Sequence, residues 1–232
     1  MQCSKFMLTC VAFGLGAVSL ATIALAISTD YWLLLYEKVG IDKMDIDKTI
    51  SENHTFLSSY NVHSRIGLWR FCIVSDMSRQ SCVALDYSNS LQKQQSSDDQ
   101  VTAIAIAGAQ REATPVFLTG FFLVICSSLC NAVGNIRGNV LTLLAAVLYI
   151  NAGLCISVGM ILYITFINDE TNHAKKSDDL KFSYTYGWSA YLVGLCFFTS
   201  ETAAVICITL FIKRYQTCEE KLKMIPGLER KL

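Results

Sequence analysis

Charge is what this sequence most lacks, first in total and then along its length. Its 19 lysines and arginines balance 19 aspartates and glutamates, so no bulk electrostatic attraction points to nucleic acid. Histidine is scarce at three residues, and His54, His63 and His173 all lie outside the apolar runs. No Walker loop, no HExxH motif and no serine–histidine–acid constellation is present. Those absences leave no candidate catalytic set, no metal-ligand set and no expected cofactor. The apolar runs also lack a repeated polar face or filter-like segment, which argues against a pore.

What is present is apolar, at 53% of residues, and it is gathered into four runs. Residues 6–27 carry no charge and are long enough to cross a bilayer as a helix. Residues 116–134 form a second uncharged run, opened by Pro115, a residue suited to a first helical turn. Residues 140–167 and 187–212 are the third and fourth, the last interrupted by one acid, Glu201. The expected fold is therefore membrane α-helical, a four-helix transmembrane bundle. The first run has a competing reading as a signal peptide, because it ends ATIALAIS; its 22 residues exceed a signal h-region, which favours a retained helix.

Orientation follows from basic residues near the spans. Lys5, Arg137 in the turn at 135–139, and Lys213–Arg214 place 1–5, 135–139 and 213–232 in the cytoplasm, with 28–115 and 168–186 outside. The outer parts, 30–115 and 168–186, hold 15 acids against 11 bases. The sequon Asn53-His54-Thr55 falls on the outer side, where Asn53 can be glycosylated. Of ten cysteines only Cys72 and Cys82 lie outside, and an isolated pair in an oxidising loop is expected to form a disulfide. Zinc would require further ligands, and His54 and His63 lack a recognised spacing.

The first outer segment is too long for a connector. DYWLLLYEKVGI reads as a strand with interfacial aromatics, and SRIGLWRFCIVS and SCVALDY read as two strands joined by DMSRQ. The polar stretch SNSLQKQQSSDDQ reads as a loop, and VTAIAIAGAQREA as a short helix before the second span. FSYTYGWSAY alternates aromatic and polar residues, as a strand pairing with the first loop would. The two loops together are expected to form one small extracellular antiparallel β-sheet.

Five segments carry a family resemblance: TDYWL (29–33), SENHT (51–55), HSRIGLWRFC (63–72), NAGLCISVGMILYI (151–164) and KFSYTYGWSAY (181–191). They resemble the claudin superfamily and, within it, the stargazin-like transmembrane AMPA-receptor regulatory proteins, relatives of the voltage-gated calcium channel gamma subunits. GLW with two cysteines marks the superfamily, and Tyr-x-Tyr-Gly-Trp-Ser the narrower group. The resemblance implies a claudin-like fold and a non-enzymatic auxiliary subunit of AMPA-type glutamate receptors, acting on gating, desensitisation and surface delivery at the postsynaptic plasma membrane. It implies that the third and fourth spans lie against receptor transmembrane helices and that the sheet faces the ligand-binding domain. A calcium-channel gamma subunit and a claudin-type barrier protein are the alternatives.

The resemblance assigns Trp32, Gly67, Leu68 and Trp69 to the structural motif, with Trp69 packing the sheet onto the bundle. Arg70 either bonds the loop backbone or meets an outer acid. Partner-contact candidates are Tyr149, Tyr163, Phe197 and Phe198, read as outward apolar residues that equally suit a lipid-facing role, together with Asn151. Glu201 has two readings: a protonated acid bonded within its own bundle, to Asn151 or Thr202, or a contact with a partner helix. The acidic run that the family directs at the receptor is thinned here to Asp98-Asp99, and a second family disulfide is replaced by Ile73 and the cysteine-free YEKVGID. The sequence ends ERKL, so a PDZ-scaffold partner is not expected.

Overall fold

The computed structural model describes residues 2–40, 59–75, 81–85, 101–137, 140–177 and 182–223. In chain order these form α1 (Gln2–Ser28), β1 (Leu33–Gly40), β2 (Ser59–Ile66), β3 (Arg70–Ser75), β4 (Ser81–Ala84), α2 (Val101–Arg137), α3 (Leu141–Ser177), β5 (Phe182–Tyr186) and α4 (Trp188–Lys223). Each helix contains a stretch long and apolar enough to cross a membrane: Phe6–Ser28, Arg111–Arg137, Leu141–Asn172 and Trp188–Gln216. The chain divides into two compact units.

The first unit contains residues 1–26, 115–160 and 191–232, a bundle made of parts of all four helices. Its buried cluster joins Ala12, Ala146, Tyr149, Ala203, Ala204, Cys207 and Leu210, so small side chains alternate with one large ring. Small residues let helix backbones approach where no hydrophobic effect drives them together. At Gly16 an added Cβ would strike the Tyr149 hydroxyl, which itself bonds Ser128 Oγ at 3.0 Å. Between α1 and α4, Ser19 Oγ and Cys196 Sγ lie 3.3 Å apart, both residues being buried.

One end of this bundle is closed by a polar chain. Arg214 Nη1 donates to the Gly134 carbonyl (3.2 Å) and to Thr142 Oγ1 (3.3 Å), while Nη2 donates to Asn135 Oδ1 (2.8 Å). Asn135 Nδ2 donates in turn to Asn131 Oδ1 at 2.7 Å, and buried Asn131 donates to the Ala12 carbonyl at 3.4 Å. Carbonyls in the last turn of a helix lack intrahelical partners, and Arg214 supplies one to the end of α2. The chain thereby links all four helices.

The second unit contains residues 27–114 and 161–190 and holds a five-stranded sheet in the order β4-β3-β2-β1-β5. Every neighbouring pair is antiparallel. The registers Leu33↔Ile66, Ile66↔Phe71 and Leu33↔Tyr186 place one row of apolar residues on a common face, and Leu33, Leu35, Ile66 and Phe71 are buried. Successive side chains alternate faces, so the opposite face carries the row Cys72, Arg65 and Leu34. FSYTY pairs with β1, as its alternation predicts.

Three boundaries differ from those expected. SRIGLWRFCIVS is two strands, because Gly67, Leu68 and Trp69 turn β2 back into β3; the Gly67 amide donates to the Arg70 carbonyl at 2.8 Å across that turn. Pro115 does not open a helix but stands inside α2, which runs continuously from the Ala-rich segment into the span. Membrane helices tolerate an internal proline, which removes one amide donor from the ladder; in the turn that follows, Thr119 Oγ1 donates to the Pro115 carbonyl at 2.9 Å. Finally, α3 continues to Ser177, so NDETNHAKKS is helical rather than a loop.

Cys72 and Cys82 form a disulfide. The two residues are directly opposed in the β3–β4 ladder, with Cα atoms 4.1 Å apart. β4 is a four-residue edge strand with few hydrogen bonds of its own, so the covalent link does much of the work of holding it. Replacing both cysteines by serine is expected to lower stability by about 3 kcal/mol, from the loop of about ten residues that the link closes. Thermal unfolding of the purified chain in detergent measures this; an unchanged midpoint would show that β4 is held by its ladder alone.

Candidate functional site

Two groups of residues stand out from the packing. The first is the motif that joins α1 to the sheet. Trp69 Nε1 donates to the Ile27 carbonyl at 3.0 Å, and Ile27 is the penultimate residue of α1. That carbonyl belongs to the last turn of the helix, which has no intrahelical donor to offer it. Arg70 Nη2 pairs with Asp30 Oδ2 at 2.9 Å, so Arg70 meets an acid. Gly67 makes the approach possible: a Cβ there would lie 2.6 Å from the Asp30 Cα atom. Any larger residue forces the β2–β3 turn away from Asp30, and with it both bonds.

Trp32 is fully buried, and its backbone serves both sides of the sheet. Its amide donates to the Ile66 carbonyl at 3.1 Å, and its carbonyl accepts from the Gly187 amide at 2.9 Å. Its ring meets Tyr163 edge-on, with centroids 5.3 Å apart. Leu68 is buried as well. Close by, Arg65 Nη1 donates to the Tyr31 hydroxyl at 2.8 Å, and Tyr31 packs on Trp188 at 5.7 Å. Burial pushes the Tyr186 phenol above its ordinary pKa, and the neighbouring Tyr184 phenol adds to the effect.

The second group lies on the exposed faces of α3 and α4 in the bundle unit. Leu144, Val147, Leu154 and Val158 are exposed on α3, and Leu195, Phe198 and Val205 on α4. Their spacing of three and four residues gives each helix one outward apolar stripe. Asn151 interrupts the α3 stripe and is exposed; its Nδ2 donates to the Val147 carbonyl at 2.9 Å. Glu201 is half-buried at the flank of α4, and its carboxyl packs against Gly153, where an added Cβ would collide with Oε1.

The expected contact residues separate accordingly. Phe198 is outward and 67% exposed, Phe197 is half-buried beside it, and the two rings meet at 5.4 Å. Tyr149 and Tyr163 do not face outward; both are fully buried, Tyr149 among small residues of the bundle and Tyr163 against Trp32. The Tyr149 ring fills space that Gly16 and the surrounding alanines leave open, and the Tyr163 ring is covered by Trp32 and Tyr186, which removes both from the outer surface. Asn53, Asp98 and Asp99 lie outside the described residues. Among the described residues no group of three histidine, cysteine or acidic side chains could hold a metal ion. The sequence reading missed the Trp69–Ile27 bond and the Arg214 chain, because neither a helix-end carbonyl nor a bond across 80 positions leaves a local pattern.

Four membrane-length helices, with a disulfide-stapled antiparallel sheet built from the segments between them, define a multi-pass membrane protein. The family model described as PMP-22/EMP/MP20/Claudin tight junction matches residues 17–209. The human voltage-dependent calcium channel gamma-5 subunit is 31% identical over 230 residues, 98% of this chain and 78% of that protein. The human gamma-7 subunit is 30% identical over 231 residues, covering 99% and 78%. The human gamma-3 subunit is 30% identical over 209 residues, covering 89% and 61%. The chain belongs to the PMP-22/EMP/MP20/claudin family and, within it, to the voltage-dependent calcium channel gamma-subunit group.

Replacing Trp69 by Phe keeps the ring but removes the donor to Ile27. The expected cost is about 1 kcal/mol, which for a chain of this size is a fall of about 2–4 °C in Tm. Thermal denaturation in detergent measures it; no fall would show that the α1 terminus is satisfied without Trp69.

Proposed function

We propose that this chain is a non-enzymatic auxiliary subunit of AMPA-type ionotropic glutamate receptors that modulates gating and desensitisation and assists surface delivery. The observation that carries this reading is the segment FSYTYGWSAY, which resembles the receptor-regulatory group rather than the wider family. That segment supplies β5, which pairs with β1, and runs directly into α4, whose outward face is exposed. One continuous stretch thus belongs to both the sheet and a membrane helix, a suitable element for carrying a change in receptor shape.

In this reading both termini are cytoplasmic, following the basic residues Lys5, Arg137, Lys213 and Arg214, and the sheet is extracellular beneath the ligand-binding domains. Asp98 and Asp99 face those domains, and Asn53 carries a glycan. The postsynaptic plasma membrane is the expected location, with lipid and the receptor's helices as neighbours of α3 and α4. The mechanism is differential binding: contacts stronger in one receptor state shift the gating equilibrium toward it, with no chemical step. A coupling of about 1–3 kcal/mol changes desensitisation or agonist potency several-fold or more.

The second reading is a subunit of a voltage-gated calcium channel, which the names of the relatives favour. Co-expression of the full chain with an AMPA-type receptor and, separately, with a calcium channel distinguishes the two by patch-clamp recording. The expected result is an altered amplitude or decay of glutamate-evoked current with calcium current unchanged. Unaltered glutamate responses, with altered voltage-gated current, would transfer the assignment to the calcium channel.

A further inference from the structure

Where the sheet begins, the ends of two membrane helices are tied together. The first span ends at Ser28 and the fourth begins at Trp188. Thr29 Oγ1 and Ser189 Oγ lie 2.7 Å apart, and the Ser189 amide donates to the Tyr31 carbonyl at 3.2 Å. Residues 29–31 and 188–189 therefore stand at one level, where hydrocarbon gives way to headgroups on the sheet side of the membrane. Trp188, 47% exposed, and Tyr191, 72% exposed, are the aromatic types that such a boundary collects.

At that boundary one cation is held in place without a counter-charge. Arg65 stands on β2 opposite Leu34, which lies beyond Tyr31 from the end of α1. Its guanidinium carbon is 5.0 Å from the Tyr31 ring centroid, and Nη1 donates to the Tyr31 hydroxyl at 2.8 Å. The Tyr31 ring in turn packs on Trp188. This stack fixes the position of the guanidinium but satisfies only one of its N–H groups. The residues paired with Arg65 across the ladder, Leu34 and Cys72, carry no charge, and Asp30, beside Tyr31 in the chain, is taken by Arg70. Among the described residues Arg65 makes no ion pair, and the half-exposed Trp188 gives its indole N–H to no acceptor.

We propose that Arg65, positioned by the Tyr31 ring and hydroxyl, binds the phosphodiester of a phospholipid in the leaflet on the sheet side. A guanidinium takes a phosphate through two parallel N–H bonds, and the free part of its fork is available for them. The depth selects the ligand: phosphate is the anion found throughout the level just above the ends of the spans. Trp188 lies one ring nearer the hydrocarbon, at the level of the lipid esters. Because Arg65 belongs to a strand and not to a loop tip, a bound phosphate fixes the height of β2 over the membrane. The site acts whichever channel the chain joins.

Native mass spectrometry of the full chain released from detergent tests this. The probe is phosphatidylglycerol, whose phosphodiester has no ammonium of its own to compete with Arg65, and the control is diacylglycerol, which has the same chains without the phosphate. Arg65→Gln is expected to lower phosphatidylglycerol retention roughly threefold to tenfold at equal lipid and to leave diacylglycerol retention unchanged. Tyr31→Phe keeps the ring beneath the guanidinium and removes the hydroxyl bond, so it is expected to give a smaller loss; it carries the test if Arg65→Gln fails to fold. Unchanged phosphatidylglycerol retention in every folded variant would overturn the site. An equal loss of diacylglycerol would mean damaged packing and would overturn it as well. Inorganic phosphate added to the unaltered chain at the same concentration is expected to leave the lipid bound; displacement would assign Arg65 to a soluble anion and overturn the lipid reading.

Discussion

The chain must leave an apolar helix and enter a sheet without abandoning backbone groups on the way, and the bond from Trp69 to the Ile27 carbonyl is where that constraint is met. It depends on Gly67, because only a residue without a side chain lets the β2–β3 turn lie on Asp30. It is flanked by the Arg70–Asp30 pair, and Trp32, two residues beyond Asp30, passes the connection on to both β2 and β5. Removing the glycine would loosen the helix end, the ion pair and the sheet registry together. The short motif is therefore a joint, and its residue types follow from geometry rather than from any chemistry performed there.

Much of this architecture was legible because its signals are local. A span announces itself by the lack of charge over 20 or more residues, and FSYTY announces a strand by alternation. Cys72 and Cys82 were legible as the isolated cysteine pair in the outer segments. The less legible features depend on partners distant in sequence. Whether Pro115 starts a helix or sits inside one is decided by the helical segment before it. GLW reads as the middle of a strand until the approach of Asp30 bends it. Tyr149 and Tyr163 occupy helical positions whose facing is set by small residues and by Trp32 on other elements, so their burial has no signature in their own neighbourhood.

The two units have different physical economies. In the bundle, close approach through alanine and glycine, together with the Arg214 chain, does what hydrophobic burial does in water. In the sheet unit, buried leucines, tryptophan and a disulfide hold short strands. β5 (Phe182–Tyr186) is followed at once by α4 (Trp188–Lys223), with Gly187 between them.

The most direct test of the proposed receptor role is a cryo-electron microscopy reconstruction of the chain co-purified with an AMPA-type receptor. The expected density places α3 and α4 against the receptor's peripheral helices, with Phe198 within the contact and α1 on the lipid side. A complex in which α3 and α4 face lipid while α1 or α2 makes the contact would contradict it.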